Sequence, residues 1–316
     1  MSLLFVADPL ESFKTYKDTT FAMMREAARR GHELWACEPA DLVWLRGARV
    51  VARRARAFTI TGDPERWFDV VAEGELALAD ARAVLMRKDP PFDAEYFYAT
   101  HLLQQAEREG ARVFNKPAAL RDHPEKLAIL EFPQWIGPTL VTRSAEAVRA
   151  FHAEHGEIIL KPLDGMGGMG IFRVGADGMN LGAIIETLNH HGATTIMAQR
   201  FLPEIVHGDK RILLIDGEPV PFSLARIPQG SEVRGNLAVG GKGVAQPLSA
   251  RDREIAQALG AVLRTRGLLL VGLDVIGDRL TEINVTSPTC FQEIAQQTGF
   301  DVARMFVDAL ERALAS

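Results

Sequence analysis

Residues 271–285 constrain the chain most: two apolar runs, Val-Gly-Leu-Asp-Val-Ile and Leu-Thr-Glu-Ile-Asn-Val, flank a Gly-Asp-Arg turn and specify a β-hairpin. With the turn centred on Asp278, Asp274 and Glu282 stand opposite one another, and Asn284, two residues further on, points to the same face. Three hard oxygen donors converge. Two opposed carboxylates inside apolar strands repel unless a cation neutralises them, and carboxylates that share a cation with substrate phosphates suit Mg²⁺. The competing reading is a polar, solvated hairpin face, and a turn one position away changes how Asp274 meets Glu282.

A glycine-rich loop lies upstream. Gly165, Gly167 and Gly170 form a G-x-G-x-x-G match, but a dinucleotide fingerprint opens a helix, whereas residues 171–174 are β-branched and aromatic, and no Gly-Lys-Ser/Thr follows. The loop is therefore expected to join antiparallel strands at 158–163 and 171–174, its backbone N–H groups free to approach phosphate oxygens; a merely flexible turn is the alternative. Lys161 ends the first of these strands as a rigidly placed positive charge, and Lys126 begins a predicted helix over 125–131. A lone lysine at a helix start is usually a solvated one. Only the combination points to phosphate.

The flanking sequence supplies the frame. Residues 1–9 lack a basic n-region and read as a first buried strand rather than a signal peptide or membrane span. A helix over 21–30, capped by Thr19 or Thr20, is followed by strands at 32–37 and 83–86, a helix at 94–109 and a strand at 111–115; the alternation predicts a parallel α/β layer. Arg87 follows a strand end, where such sheets put ligand sites. Strands at 211–215 and 219–226 predict another hairpin carrying Arg211 and Arg226, whose guanidinium groups suit carboxylate or phosphate, with surface ion pairing as the alternative. Helices are expected at 145–154, 181–189, 251–266 and 302–314. Between Arg226 and Gly243 a stretch with five glycines, Arg234 and Lys242 lacks periodicity, the composition of a mobile lid.

Composition removes several function classes. A chain of 316 residues, 47% hydrophobic and 24% charged, builds two or three soluble domains, and a formal charge of −5 gives no global attraction to nucleic acid or anionic membranes. Cys37 and Cys290 form neither a disulfide framework nor a zinc spacing, which fits a reducing cytoplasm. Cys290 has no placed base; His152 and His155 share a helix face but lack a third metal ligand, and the adjacent His190 and His191 point apart.

On residues 86–93, 115–117, 160–168, 224–230 and 281–289, and from end to end, the chain resembles the bacterial glutathione synthetases of the ATP-grasp superfamily. The resemblance implies an α/β (α+β) ATP-grasp fold: a Rossmann-like N-terminal domain over 1–122, a central lid domain over 123–202, and a C-terminal antiparallel-sheet catalytic domain over 203–316 with a mobile loop at 227–243. It implies phosphate contacts from Lys126, Lys161, Gly165, Gly167 and Gly168, adenine contacts from Gln199, Arg200, Phe201 and Leu202, and a ribose contact from Asp209. Arg211, Arg226 and Arg234 match catalytic arginines, and Arg87, Arg226, Ser287, Pro288 and Thr289 match substrate contacts. Asp274, Glu282 and Asn284 fall on the magnesium ligands, with Mn²⁺ as an alternative ion. The implied reaction joins γ-glutamylcysteine to glycine at the expense of ATP, in a cytoplasmic homotetramer. Met169 departs from the smaller residue often found in the glycine loop. A D-alanine–D-alanine ligase, a glutamate-adding ligase and an ATP-binding regulatory protein without turnover are the rival readings.

Overall fold

The computed structural model describes every residue except Pro64, Ser231, Val233, Ala238, Val239 and Ser316. Three sheets organise it. The first contains β1 (Ser2–Val6), β2 (Glu33–Cys37), β3 (Leu42–Val43), β4 (Val51–Ile60), β5 (Phe68–Ala77), β6 (Ala83–Met86) and β7 (Val113–Phe114). β1 pairs in parallel with β2 and β6, and β6 with β7, giving the expected parallel layer. An antiparallel extension, absent from the sequence reading, is added by β4, which pairs with β2, β3 and β5.

The helices α1 (Thr19–Arg29) and α2 (Ala94–Arg108) start where a carboxylate accepts the orphan N–H of the first turn: Phe21 donates to Asp18 and Tyr96 to Asp93. Asp18, and not Thr19 or Thr20, is thus the cap of α1. A short α3 (Pro117–Asp122) follows β7. The predicted helix over 125–131 does not form; residues 125–127 are a turn and only Ala128–Glu131 coil, as a 3₁₀ segment. The Glu125 carbonyl is taken by the Ile283 N–H at 3.0 Å instead of a residue four further on.

The second sheet has the order β10 (Phe172–Val174), β9 (Ile158–Pro162), β11 (Ile196–Arg200), β8 (Thr139–Thr142), with β9 and β10 antiparallel as expected. α4 (Ala145–His155) and α5 (Leu181–Asn189) cover one face, and Val148, Ile158, Leu160, Ile185 and Ile196 make a small core of its own. The third sheet has the order β14 (Lys242–Pro247), β13 (Glu218–Ile227), β12 (Asp209–Ile215), β15 (Leu270–Ile276), β16 (Arg279–Asn284), all antiparallel. α6 (Ala250–Thr265), begun by a Ser249/Asp252 capping box, packs on it, as do α7 (Phe291–Thr298) and α8 (Val302–Ala315).

Two hydrophobic cores run through the first and third sheets together. One joins Val84, Met86 and Leu103 to Ile212, Val271 and Leu273; the other joins Phe5, Phe21 and Met23 to Leu213, Phe291 and Leu310. The β15–β16 hairpin is therefore built on a base that includes the N-terminal layer, while the second sheet has a small core under its helices and adds Met197 to the first of the two shared cores.

Candidate active site

β15 and β16 place Asp274 opposite Glu282 and Asn284 opposite Gly272. The turn, however, lies at Gly277-Asp278 between the paired Ile276 and Arg279, not on Asp278 alone. Thr281 is the extra residue that restores the register, a β-bulge whose hydroxyl donates to the Asp274 carbonyl at 3.1 Å.

The hairpin floors a cavity of about 310 Å³ whose other walls come from the second sheet, the glycine loop, the loop after β13 and residues 286–290. Asp274 is buried there. Burial by itself raises a carboxyl pKa, but Arg211 (Nε to Oδ1, 2.6 Å; Nη2 to Oδ2, 3.2 Å) and Arg226 (2.9 Å to Oδ2) overcome it and hold Asp274 well below the usual range. Gly272 makes room for this: a Cβ there would sit 2.9 Å from Arg211 Cδ and 3.0 Å from Pro288 Cβ. Arg226 also donates to Asp209, whose carboxyl burial pushes upward against the pull of that guanidinium. The other oxygen of Asp209, Oδ1, is buried without a hydrogen-bond partner.

Two lysines reach the hairpin from outside its sheet. Lys126 donates to Glu282 Oε1 at 3.0 Å and to the Gly165 carbonyl, and Lys161, on β9, donates to the Thr281 carbonyl at 3.3 Å. Burial pushes the Lys161 ammonium down to about 8, partly countered by Glu282. Lys126, Lys161, Arg211 and Arg226 thus meet Asp209, Asp274 and Glu282 in one concavity, which puts four cations within reach of a polyphosphate.

Gly165, Gly167 and Gly168 line the opposite wall. Gly168 has φ +85°, and a Cβ on it would lie 2.7 Å from Asn236 Oδ1. Arg234 donates to the Gly168 carbonyl at 3.0 Å and pairs with Glu232, so the loop after β13 touches the glycine loop. Of the lid expected over 227–243, Ile227 ends β13 and Lys242 begins β14; Ser231, Val233, Ala238 and Val239 lie outside the described residues.

Gln199, Arg200, Phe201 and Leu202 line the cavity at the end of β11, beside Ile159, Ile276 and Leu280. Gln199 donates to Thr139 Oγ1, and Arg173 stacks 4.0 Å over the Phe201 ring. Ser287, Pro288 and Thr289 form another stretch of wall, with Ser287 donating to Asp89 from the N-terminal layer. Arg87 differs from expectation. It does not line the cavity; it is buried behind it, donating to Thr20 Oγ1 and the Pro288 carbonyl.

Among the described residues no three His, Cys, Asp or Glu side chains group to hold a metal ion by themselves. The hairpin's two carboxylates and one amide are hard oxygen donors of the kind a divalent cation such as Mg²⁺ takes. Three of about four acceptor positions on Asp274 face the arginines. Asn284 spends its NH₂ on the Gly272 carbonyl, which leaves its oxygen as the remaining acceptor.

The sequence reading missed Glu125 and Asn236, both in the wall. Adjacency to Lys126 was the only local signal for the first, and the second sat inside the lid composition.

The architecture recurs in solved structures. ATP-grasp ligase PsnB complexed with minimal precursor matches with TM-score 0.63 at 19% identity over 99% of both chains. D-cycloserine synthetase DcsG matches with TM-score 0.71 at 17% identity over 99% of this chain and 100% of the other. Three sheets around a cation-rich cavity between a glycine loop and an acidic hairpin are the ATP-grasp fold. The family models for the N-terminal domain and the ATP-grasp domain of prokaryotic glutathione synthetase match residues 1–121 and 125–299. Glutathione synthetases of Ralstonia nicotianae (63% identity, 99% of this chain and 96% of the relative) and Nitrosomonas europaea (58%, 100% and 99%) align over the whole length. The chain belongs to the prokaryotic glutathione synthetase family.

Proposed function

We propose that this chain joins γ-glutamylcysteine to glycine, with ATP converted to ADP and phosphate, and that the cavity described above is where it does so. The observation that carries this reading is the convergence of Lys126, Lys161, Arg211 and Arg226 on the Asp274/Glu282 hairpin beneath the glycine loop. Lys126, Lys161 and the N–H groups around Gly165, Gly167 and Gly168 hold the phosphates. The wall of Gln199, Arg200, Phe201 and Leu202 takes the adenine, and the unpartnered Oδ1 of Asp209 accepts from a ribose hydroxyl. Asp274, Glu282 and Asn284 are the residues that would hold Mg²⁺, or Mn²⁺, and a cation there would supply neutralisation of phosphate charge.

The carboxylate of the dipeptide attacks the γ-phosphorus, giving an acyl phosphate and ADP. Arg211 and Arg226 offset the charge on the transferring oxygens, while Ser287, Pro288 and Thr289, backed by Arg87, fix the acceptor's position. The glycine amine then adds to the acyl carbon, phosphate leaves with one former carboxylate oxygen, and the ammonium proton is lost. Arg234, already on the Gly168 carbonyl, closes the lid over the reacting groups and keeps water from the acyl phosphate.

The three-part division at residues 122 and 202, a cytoplasmic setting and a homotetrameric assembly belong to the same proposal. Both thiols are buried and unpaired, and no helix among the described residues is long and apolar enough to cross a membrane. Phosphate release from ATP by the purified chain tests the substrate assignment. Release with γ-glutamylcysteine plus glycine, and not with D-alanine or glutamate, supports it; release with either of the others instead, or tight ATP binding without release under any pairing, contradicts it.

A further inference from the structure

We infer that Asn115 and Glu125 form a two-sided clamp on the peptide groups of Val285 and are positioning residues for Glu282 and Asn284. The inference rests on the reading of that pair as metal ligands.

β16 is an edge strand, bonded to β15 on one side only, and its register with β15 already shifts at Thr281. An edge strand of six residues with a bulge has little to fix its open end. Here that end is held from outside the sheet. The Val285 N–H donates to Glu125 Oε1 at 2.9 Å, and the Val285 carbonyl accepts from Asn115 Nδ2 at 2.8 Å. Glu125 Oε1 also accepts from the Thr286 N–H (3.0 Å) and hydroxyl (2.8 Å), and its backbone carbonyl accepts from Ile283. Glu125 thereby takes the place of a neighbouring strand.

Asn115 ties the other side. Its Nδ2 also donates to the Leu270 carbonyl at 2.8 Å, and its Oδ1 accepts from the Leu270 N–H at 3.0 Å. Leu270 begins β15, so one buried amide joins the start of that strand to the residue just past the end of β16. The strands so closed carry Asp274, Glu282 and Asn284 between this clamp and the Gly277-Asp278 turn. Glu125 precedes Lys126, which reaches Glu282 at 3.0 Å, so the same anchor sets a phosphate-facing cation against a carboxylate. Misplacement of a reacting constellation by about 1 Å costs on the order of 100-fold. Asn115 does not line the cavity, and any effect of changing it on ligand binding passes through the hairpin.

Asn115→Asp is the test, because it conserves size and keeps the acceptor for Leu270 while placing a carboxylate oxygen against two carbonyls. Titration calorimetry of ADP with and without Mg²⁺ on the full chain gives the metal-dependent gain in affinity. The clamp predicts a gain reduced about tenfold in Asn115→Asp, with metal-free ADP binding changed less than twofold and faster hydrogen exchange at Val285 and Thr286. Leu259→Ala, a core truncation in α6 away from the cavity, controls for lost stability and should leave the gain unchanged. If Asn115→Asp does not fold, Asn115→Ser removes the donors without adding charge, with an expected reduction of about threefold. An unchanged gain in the variant that folds, or an equal loss in Leu259→Ala, overturns the clamp. No metal-dependent gain in the parent chain, or a full gain in Glu282→Gln, sinks the metal reading instead.

Discussion

Lys161→Met should make the ligand-free protein more stable while abolishing its turnover. Lys161 is 6% exposed, and burial lowers its ammonium from 10.5 to about 8. At 1.36 kcal/mol for each unit between folded and unfolded values, carrying that proton below pH 8 costs the folded state about 3 kcal/mol. The sign follows from proton counting. Between pH 8 and 10.5 the unfolded chain binds more protons at this site than the folded one, so its contribution to stability rises with pH across that window and is flat outside it. Methionine fills a similar volume without a charge. Urea denaturation of the ligand-free chains at pH 7 should therefore show Lys161→Met more stable by about 2–3 kcal/mol, the difference closing as pH approaches 10.5. ATP-dependent phosphate release by the variant should fall to background at every pH. A variant less stable than the parent at pH 7, or a stability difference independent of pH, refutes the claim that this lysine is held as a strained charge for phosphate.

Three other outcomes are expected. Glu282→Gln should lower turnover at least about 100-fold with circular dichroism unchanged, and unaltered turnover contradicts the metal assignment. Gly168→Ala places a Cβ at φ +85° against Asn236 and should raise KM for ATP about tenfold, in line with roughly 1–2 kcal/mol of left-handed strain; an unchanged KM argues against close approach of that loop to nucleotide. Proteolytic cutting within 228–241 should slow when nucleotide and both substrates are bound. Equal cutting with and without them is incompatible with closure.

The β15–β16 hairpin and the glycine loop were legible because both are local: alternating apolar residues, a short turn and a strand on each side carry their own instructions. The Asp274–Glu282 pairing was read correctly although the turn was not, since the bulge at Thr281 offsets the misplaced centre. The β4–β5 extension was not seen. β4 carries Arg53, Arg54 and Arg56 among its apolar residues, and β5 is largely exposed, so neither shows a buried run. Residues 125–131 look helical because their carbonyl partners are invisible: Glu125 spends its acceptors on residues 283, 285 and 286. Asn115 and Leu270 meet across 155 residues of sequence, a separation no pattern within a window reports. Arg87 was expected at a ligand because it follows a strand end, whereas its guanidinium donates to Thr20 Oγ1 and the Pro288 carbonyl.

Every role proposed for the cavity depends on one chemical step, activation of a carboxylate by phosphorylation. γ-Glutamylcysteine labelled with ¹⁸O in its C-terminal carboxylate, incubated with the purified chain, ATP, Mg²⁺ and glycine, tests it directly. Mass analysis of the released phosphate should find one ¹⁸O per molecule alongside glutathione. Glutathione formed with unlabelled phosphate would contradict it.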